Sequence, residues 1–151
     1  ILIGVGTWYW VAPRKAWERF TVGVAFFSEG DMTATVDYEA VRANLRSDMM
    51  AAVRERVKGA DGLGELGVGL VDAAVSEVGT AAGLAQLLTS IAMGMGRPDP
   101  SFRYRSLSRV DVELRQSPTR SGIMTMTRSG LTWRITRVWG DGFTPRSEER
   151  R

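Results

Sequence analysis

The hydrophobic period changes once along this chain, and that change restricts the fold more than any single motif does. From residue 13 to about residue 91, apolar side chains recur at three- and four-residue steps, the mark of helices with one buried stripe. From Phe102 the step is two: Phe102, Tyr104, Val110, Val112 and Leu114 are interleaved with Arg103, Arg105, Arg109, Asp111, Glu113 and Arg115. A half-buried strand needs that alternation. Helices first and antiparallel strands after them make an α+β chain. The expected architecture is four to five N-terminal helices packed on a three-stranded antiparallel meander. With 151 residues and 44% hydrophobic composition, the chain can bury one core without staples.

The individual elements follow from caps and breakers. Pro13 suits a first helical turn, and Trp17, Phe20, Val24 and Phe27 form an aromatic-rich stripe behind it. Gly30 is placed to end that helix, and Asp31 to cap a short turn reaching Val36. In the stretch from Val36 to Arg46, Asp37 is the expected N-cap, and Glu39 adds charge favourable to the helix dipole. Val41, Leu45, Met49, Val53 and Val57 then supply a core stripe. A glycine-rich break from Lys58 to Gly64 separates it from a third helix over Glu65 to Val78. Thr80 is a cap for a fourth helix carrying Leu84, Leu87, Leu88 and Ile91. Gly67, Gly69 and Gly83 cost these helices about 1 kcal/mol each relative to alanine, which close helix packing offsets.

After the loop from Gly94 to Ser101, Phe102 to Arg115 reads as one long strand, bent by a bulge near Ser106 to Ser108 where Leu107 breaks the alternation. A second strand is expected over Ile123 to Arg128. A third is expected over Leu131 to Trp139, with Leu131, Trp133 and Ile135 on one face. Residues 1–12 are apolar and uncharged and contain Trp8-Tyr9-Trp10, yet a bilayer span takes roughly 20 residues. They read either as the end of a membrane anchor or signal segment, or as a core helix. The expected organisation is therefore an anchor end over 1–12, a single domain over 13–139 and a loose tail over 140–151.

Composition limits the chemistry. There is no cysteine and no histidine, which removes disulfides, thiolate nucleophiles, the common zinc sites and histidine-based catalytic triads. No metal or cofactor is expected, and no catalytic residue stands out. Net charge is divided: residues 1–96 hold 8 Lys and Arg against 11 Asp and Glu, and residues 97–151 hold 12 against 6. A basic C-terminal part could face nucleic acid, anionic lipid or an acidic partner, or be simply a solvated face, which is the favoured reading. Nucleic acid is not expected, because Phe102, Tyr104 and Trp133 alternate away from Arg103, Arg105, Arg109 and Arg134, so no mixed stacking-and-cation surface forms. Asp31 and Asp37 read as helix caps. Asp72, among Leu70, Val71, Ala73 and Val75, would need a cation if buried, and Arg42 or Arg46 could supply it; Arg42 and Asp72 are the candidate polar pair. Gly67-x-Gly69 lacks the preceding strand and following Lys of a nucleotide loop.

Taken in order, Gly30-Asp31, Val36-Asp37-Tyr38-x-x-Val41-Arg42-x-x-Leu45, Leu70-Val71-Asp72, Gly83-Leu84-Ala85-x-Leu87-Leu88, Tyr104-x-Ser106-Leu107 and Leu131-Thr132-Trp133-Arg134-Ile135 resemble the uncharacterised bacterial family filed as domain of unknown function 2939. The resemblance runs from about Tyr9 to Val138. It implies a domain of the bacterial envelope, preceded by a membrane helix or signal sequence, and points to no reaction, since the family has no established activity. The helix-then-curved-sheet order also resembles the nuclear-transport-factor-2-like cone fold, by analogy alone. Where the family often has Thr-Pro-Glu-Gly, this chain has Thr80-Ala81-Ala82-Gly83, which keeps the cap and loses the first-turn carboxylate.

The expected function is a membrane-tethered, non-enzymatic envelope domain that binds a protein partner or a small apolar ligand, at the bacterial inner membrane and facing the periplasm. A cytoplasmic location is the alternative. A sheet lined by Tyr104, Met124, Met126 and Trp133 and covered by Trp17, Phe20 and Phe27 could hold such a ligand, or those side chains could fill the core. Two other readings are a cone-fold hydrolase or isomerase using a pocket Asp or Tyr, and an accessory subunit of a larger membrane assembly with an exposed apolar patch at Trp8 to Trp10 or Trp139.

Overall fold

The computed structural model of the chain describes residues 2–56, 63–78, 80, 82–83, 86, 100–117 and 120–140. Four helices, α1 (Leu2–Ala25), α2 (Glu29–Thr35), α3 (Tyr38–Arg56) and α4 (Leu63–Val78), precede four strands, β1 (Pro100–Ser106), β2 (Arg109–Ser117), β3 (Arg120–Ser129) and β4 (Thr132–Gly140). The strands form one antiparallel sheet in sequence order. The α+β class and the helix-first order are as expected. The expected fourth helix, with Leu84 to Ile91, falls largely outside the described residues, as do Val57 and the tail beyond Gly140.

The sheet has four strands rather than three. What reads as one bent strand from Phe102 to Arg115 is a hairpin: Ser106 pairs with Arg109 across Leu107-Ser108, and Tyr104 pairs with Val110. The extra residue, Arg105, is bulged out of the register between those pairs. Because the bulge restores the phase lost at the turn, inward positions stay even-numbered on both strands, and the hairpin hides inside a continuous alternation. Leu-Ser is also a weak turn signal beside the glycine-containing pairs that hairpins favour. The β3–β4 hairpin carries such a glycine: Ser129 pairs with Thr132, and Gly130 has φ 62° at the first central position. Leu131 is therefore in the turn and exposed, not on the inner face with Trp133 and Ile135.

The start of the chain also differs from expectation. Pro13 does not open a helix; α1 runs through it, and Pro13 is buried. An interior proline costs a helix roughly 3 kcal/mol. Packing on both sides of it holds the helix together: Tyr9 and Trp10 lie against Tyr104, and Trp17 and Phe20 enter the core. The helix ends at Ala25, earlier than Gly30, through a Schellman arrangement in which Ser28 N–H donates to Gly23 O at 2.8 Å and Phe27 N–H to Val24 O at 3.3 Å. Ser28 then caps α2, so Gly30 and Asp31 lie within α2. Phe27, expected on the core stripe, is exposed.

Asp37 caps α3 as expected, its carboxylate accepting from Ala40 N–H at 3.0 Å. The same residue pins that end of α3 to the sheet, since Asp37 N–H donates to Ile135 O at 2.9 Å beside the Val36–Ile135 bridge. One core joins α1, Val36, Val41 and the inner sheet face. A smaller cluster of Leu45, Val71 and Val75 holds α4 on α3.

Candidate functional site

The outer face of the sheet carries the charge. Arg103, Asp111, Thr125 and Arg137 stand in one cross-strand row, with Glu113 two residues along β2 from Asp111. Asp111 is only 6% exposed although it alternates away from the core. Its carboxylate is covered by Arg105 Nε at 2.7 Å and Arg109 Nε at 3.5 Å, and Thr125 Oγ1 donates to it at 2.9 Å. Arg103 and Arg115 close on Glu113 in the same way, at 3.3 and 3.1 Å. Four guanidinium groups thus share two carboxylates. Each arginine side chain remains about half exposed or more, and each guanidinium has five N–H donors, so donors are left for an outside acceptor. Arg134 adds a further exposed cation.

On the β4 side the face is closed by α3. Asp48, 7% exposed, receives two bonds from Arg137, at 2.6 and 2.9 Å. A bulge at Thr136, between the Thr125–Arg137 and Met126–Ile135 pairs, frees the Thr136 carbonyl to accept from Asn44 Nδ2 at 2.9 Å. Sequence reading missed both polar groups. Asp48 had a signal, since Val41, Leu45 and Asp48 follow steps of four and three along the buried stripe. Asp111 had none, because its burial depends on Arg105 and Thr125, which strand pairing brings to it from β1 and β3.

The candidate polar pair rearranges. Asp72 is exposed and bridged by Arg46 Nε at 2.9 Å, and Arg42 is exposed on α3. Exposed pairs of this kind contribute about 0–1 kcal/mol, so the Arg46–Asp72 pair is a surface contact between α3 and α4. The candidate pocket residues are core. Trp17, Phe20, Met124, Met126 and Trp133 are buried in one cluster, with Tyr104 half-buried against it. The Trp133 indole N–H and the Tyr38 hydroxyl are buried without a partner among the described residues. Burial pushes the Tyr38 hydroxyl above the usual phenol range, with Glu29 adding to the shift. Burial likewise raises Tyr104, against an opposing contribution from Arg14. Both buried carboxylates among the described residues, Asp48 and Asp111, are held by arginine. No group of three potential ligands for a metal ion occurs among the described residues, and no described helix is long and apolar enough to cross a membrane.

In comparisons with known proteins, the chain matches no family model, no curated protein and no solved structure.

Proposed function

We propose that this chain is a non-catalytic domain held at a bacterial inner membrane, facing the periplasm, whose arginine-bearing sheet face binds an acidic protein partner. The observation that carries the reading is the ratio on that face: four guanidiniums, each about half exposed or more, over two carboxylates. Such a surface suits carboxylate-rich segments, because arginine pairs with carboxylates through two parallel bonds. A small apolar ligand is the weaker reading, since the side chains expected to line its pocket are packed into the core. Placement in the bacterial envelope rests on the resemblance to the family of unknown function and on the uncharged start of α1.

The test is affinity purification from detergent-solubilised native membranes, comparing the wild type with R103Q/R115Q/R134Q. These changes keep the pairs around Asp111. An acidic protein should co-purify with the wild type and be retained at least about tenfold less by the variant, with the loss mimicked by raised salt. A lone monomer in both arms, or equal retention of the partner, overturns the reading.

A further inference from the structure

We propose that the end of the sheet bearing the two tight turns docks on a lipid bilayer surface containing anionic headgroups, Leu107 and Leu131 entering the interface beside the uncharged start of α1. The inference rests on the membrane placement proposed above and adds the surface that makes contact.

Leu107 is 71% exposed and Leu131 81%, each at the tip of a two-residue hairpin turn. Turn positions normally take polar or glycine side chains, so two leucines there are out of place for a face that meets only water. The turns lie side by side, since Arg128 N–H donates to Ser108 O at 2.9 Å. The aromatic segment of α1 reaches the same level: Tyr9 OH donates to Ser106 O at 2.6 Å, and the Arg128 guanidinium lies 5.8 Å from the centre of the Trp8 ring. From Trp8 back to Leu2 the helix continues for about 9 Å at its standard rise. Leu2 to Pro13 contains no charged side chain, and Trp10 is 56% exposed. Two leucine tips and tryptophans at one end of the sheet, with an uncharged helix start leading into them, match the make-up of an interfacial contact.

Charge selects the occupant. Arg105, Arg109 and Arg128 lie at this level, and the carboxylate nearest the turns in the register, Asp111, is shared by Arg105 and Arg109, which leaves this end with an excess of positive charge. Anionic headgroups complement that ring of cations. A second copy of the chain meeting the same end would bring the cations against each other.

Because the chain has no cysteine, L107C, L131C and the control S101C, at the far end of β1, can each carry one environment-sensitive dye. On phosphatidylglycerol-containing vesicles, the dyes at 107 and 131 should shift to the blue and the dye at 101 should not. Binding of the unlabelled L107S/L131S chain should fall at least about tenfold. Vesicle binding without a shift at either tip overturns this inference and leaves the membrane placement standing. No vesicle binding at all overturns both. A blue shift that grows with protein concentration in the absence of lipid assigns the patch to a second copy and also overturns the inference.

Discussion

At Phe27 the backbone holds φ 51°, the conformation that closes the Schellman turn at the end of α1 and that glycine adopts without cost. An L side chain there costs about 1–2 kcal/mol, and the ring recovers little by burial, being 69% exposed. F27G should therefore raise unfolding stability by roughly 1 kcal/mol in denaturant titrations; a loss would mean that the ring makes a contact worth more than the strain. The opposite case is Asp48. Removing the carboxylate in D48A leaves Arg137 partly buried beside an apolar gap, and the expected loss is about 3 kcal/mol, with D48A/R137A recovering part of it in a double-mutant cycle. Asp31 makes stability depend on pH at the acid end. Its bond from Arg19 at 2.7 Å, then its bond from Ser28, hold the carboxyl below the usual range. A depressed folded-state pKa means that the contribution is fully present above the unfolded value, about pH 4, and is lost as pH falls through the folded value. D31N should flatten that part of the acid limb of stability against pH.

Among the elements, α3 and α4 meet through a glycine. A Cβ built on Gly67 would lie 2.8 Å from Val53 Cγ1, whereas one on Gly69 meets nothing within 4 Å. G67A should cost about 1–3 kcal/mol by forcing the helices apart, and G69A should gain up to about 1 kcal/mol from helix propensity. Calorimetric melting of the two variants checks both signs. Both glycines lie in one apolar helical run, and close packing explains only the first. The caps and stripes of α3 were legible because a cap needs a side chain two or three residues from its target, and such spacing is visible in a string of letters. The β1–β2 turn was not, because the Arg105 bulge and the Leu107-Ser108 turn together preserve the alternation that would otherwise have betrayed it. The same cancellation turned an expected meander of three strands into a sheet of four.

For the whole molecule, the docking of α1 on the sheet is the joint that links the apolar start of the chain to its charged end. Tyr104 lies in that joint, its hydroxyl donating to Trp10 O at 2.8 Å, and burial raises its pKa. A raised folded-state value keeps its contribution intact below about pH 10 and removes it as pH rises through the folded value. Y104F should cost about 1 kcal/mol at neutral pH through the lost bond, and should reduce the alkaline loss of stability measured as pH rises above about 10. Letters alone suffice for the α+β class, the helix-first order, the cap at Asp37, the stripe of α3 through Val41 and Leu45, and the segregation of positive charge into the C-terminal part. All of these depend on spacing along the chain and on residue type. The folded chain alone reveals that the candidate pocket residues pack as core, that Asp72 pairs with Arg46, that Asp48 and Asp111 are buried under arginines, and that two leucine turns share one end with Trp8 to Trp10. Each of those depends on strand register or helix docking between residues far apart in the chain, and a period shows which way a side chain faces, not which distant side chain it meets.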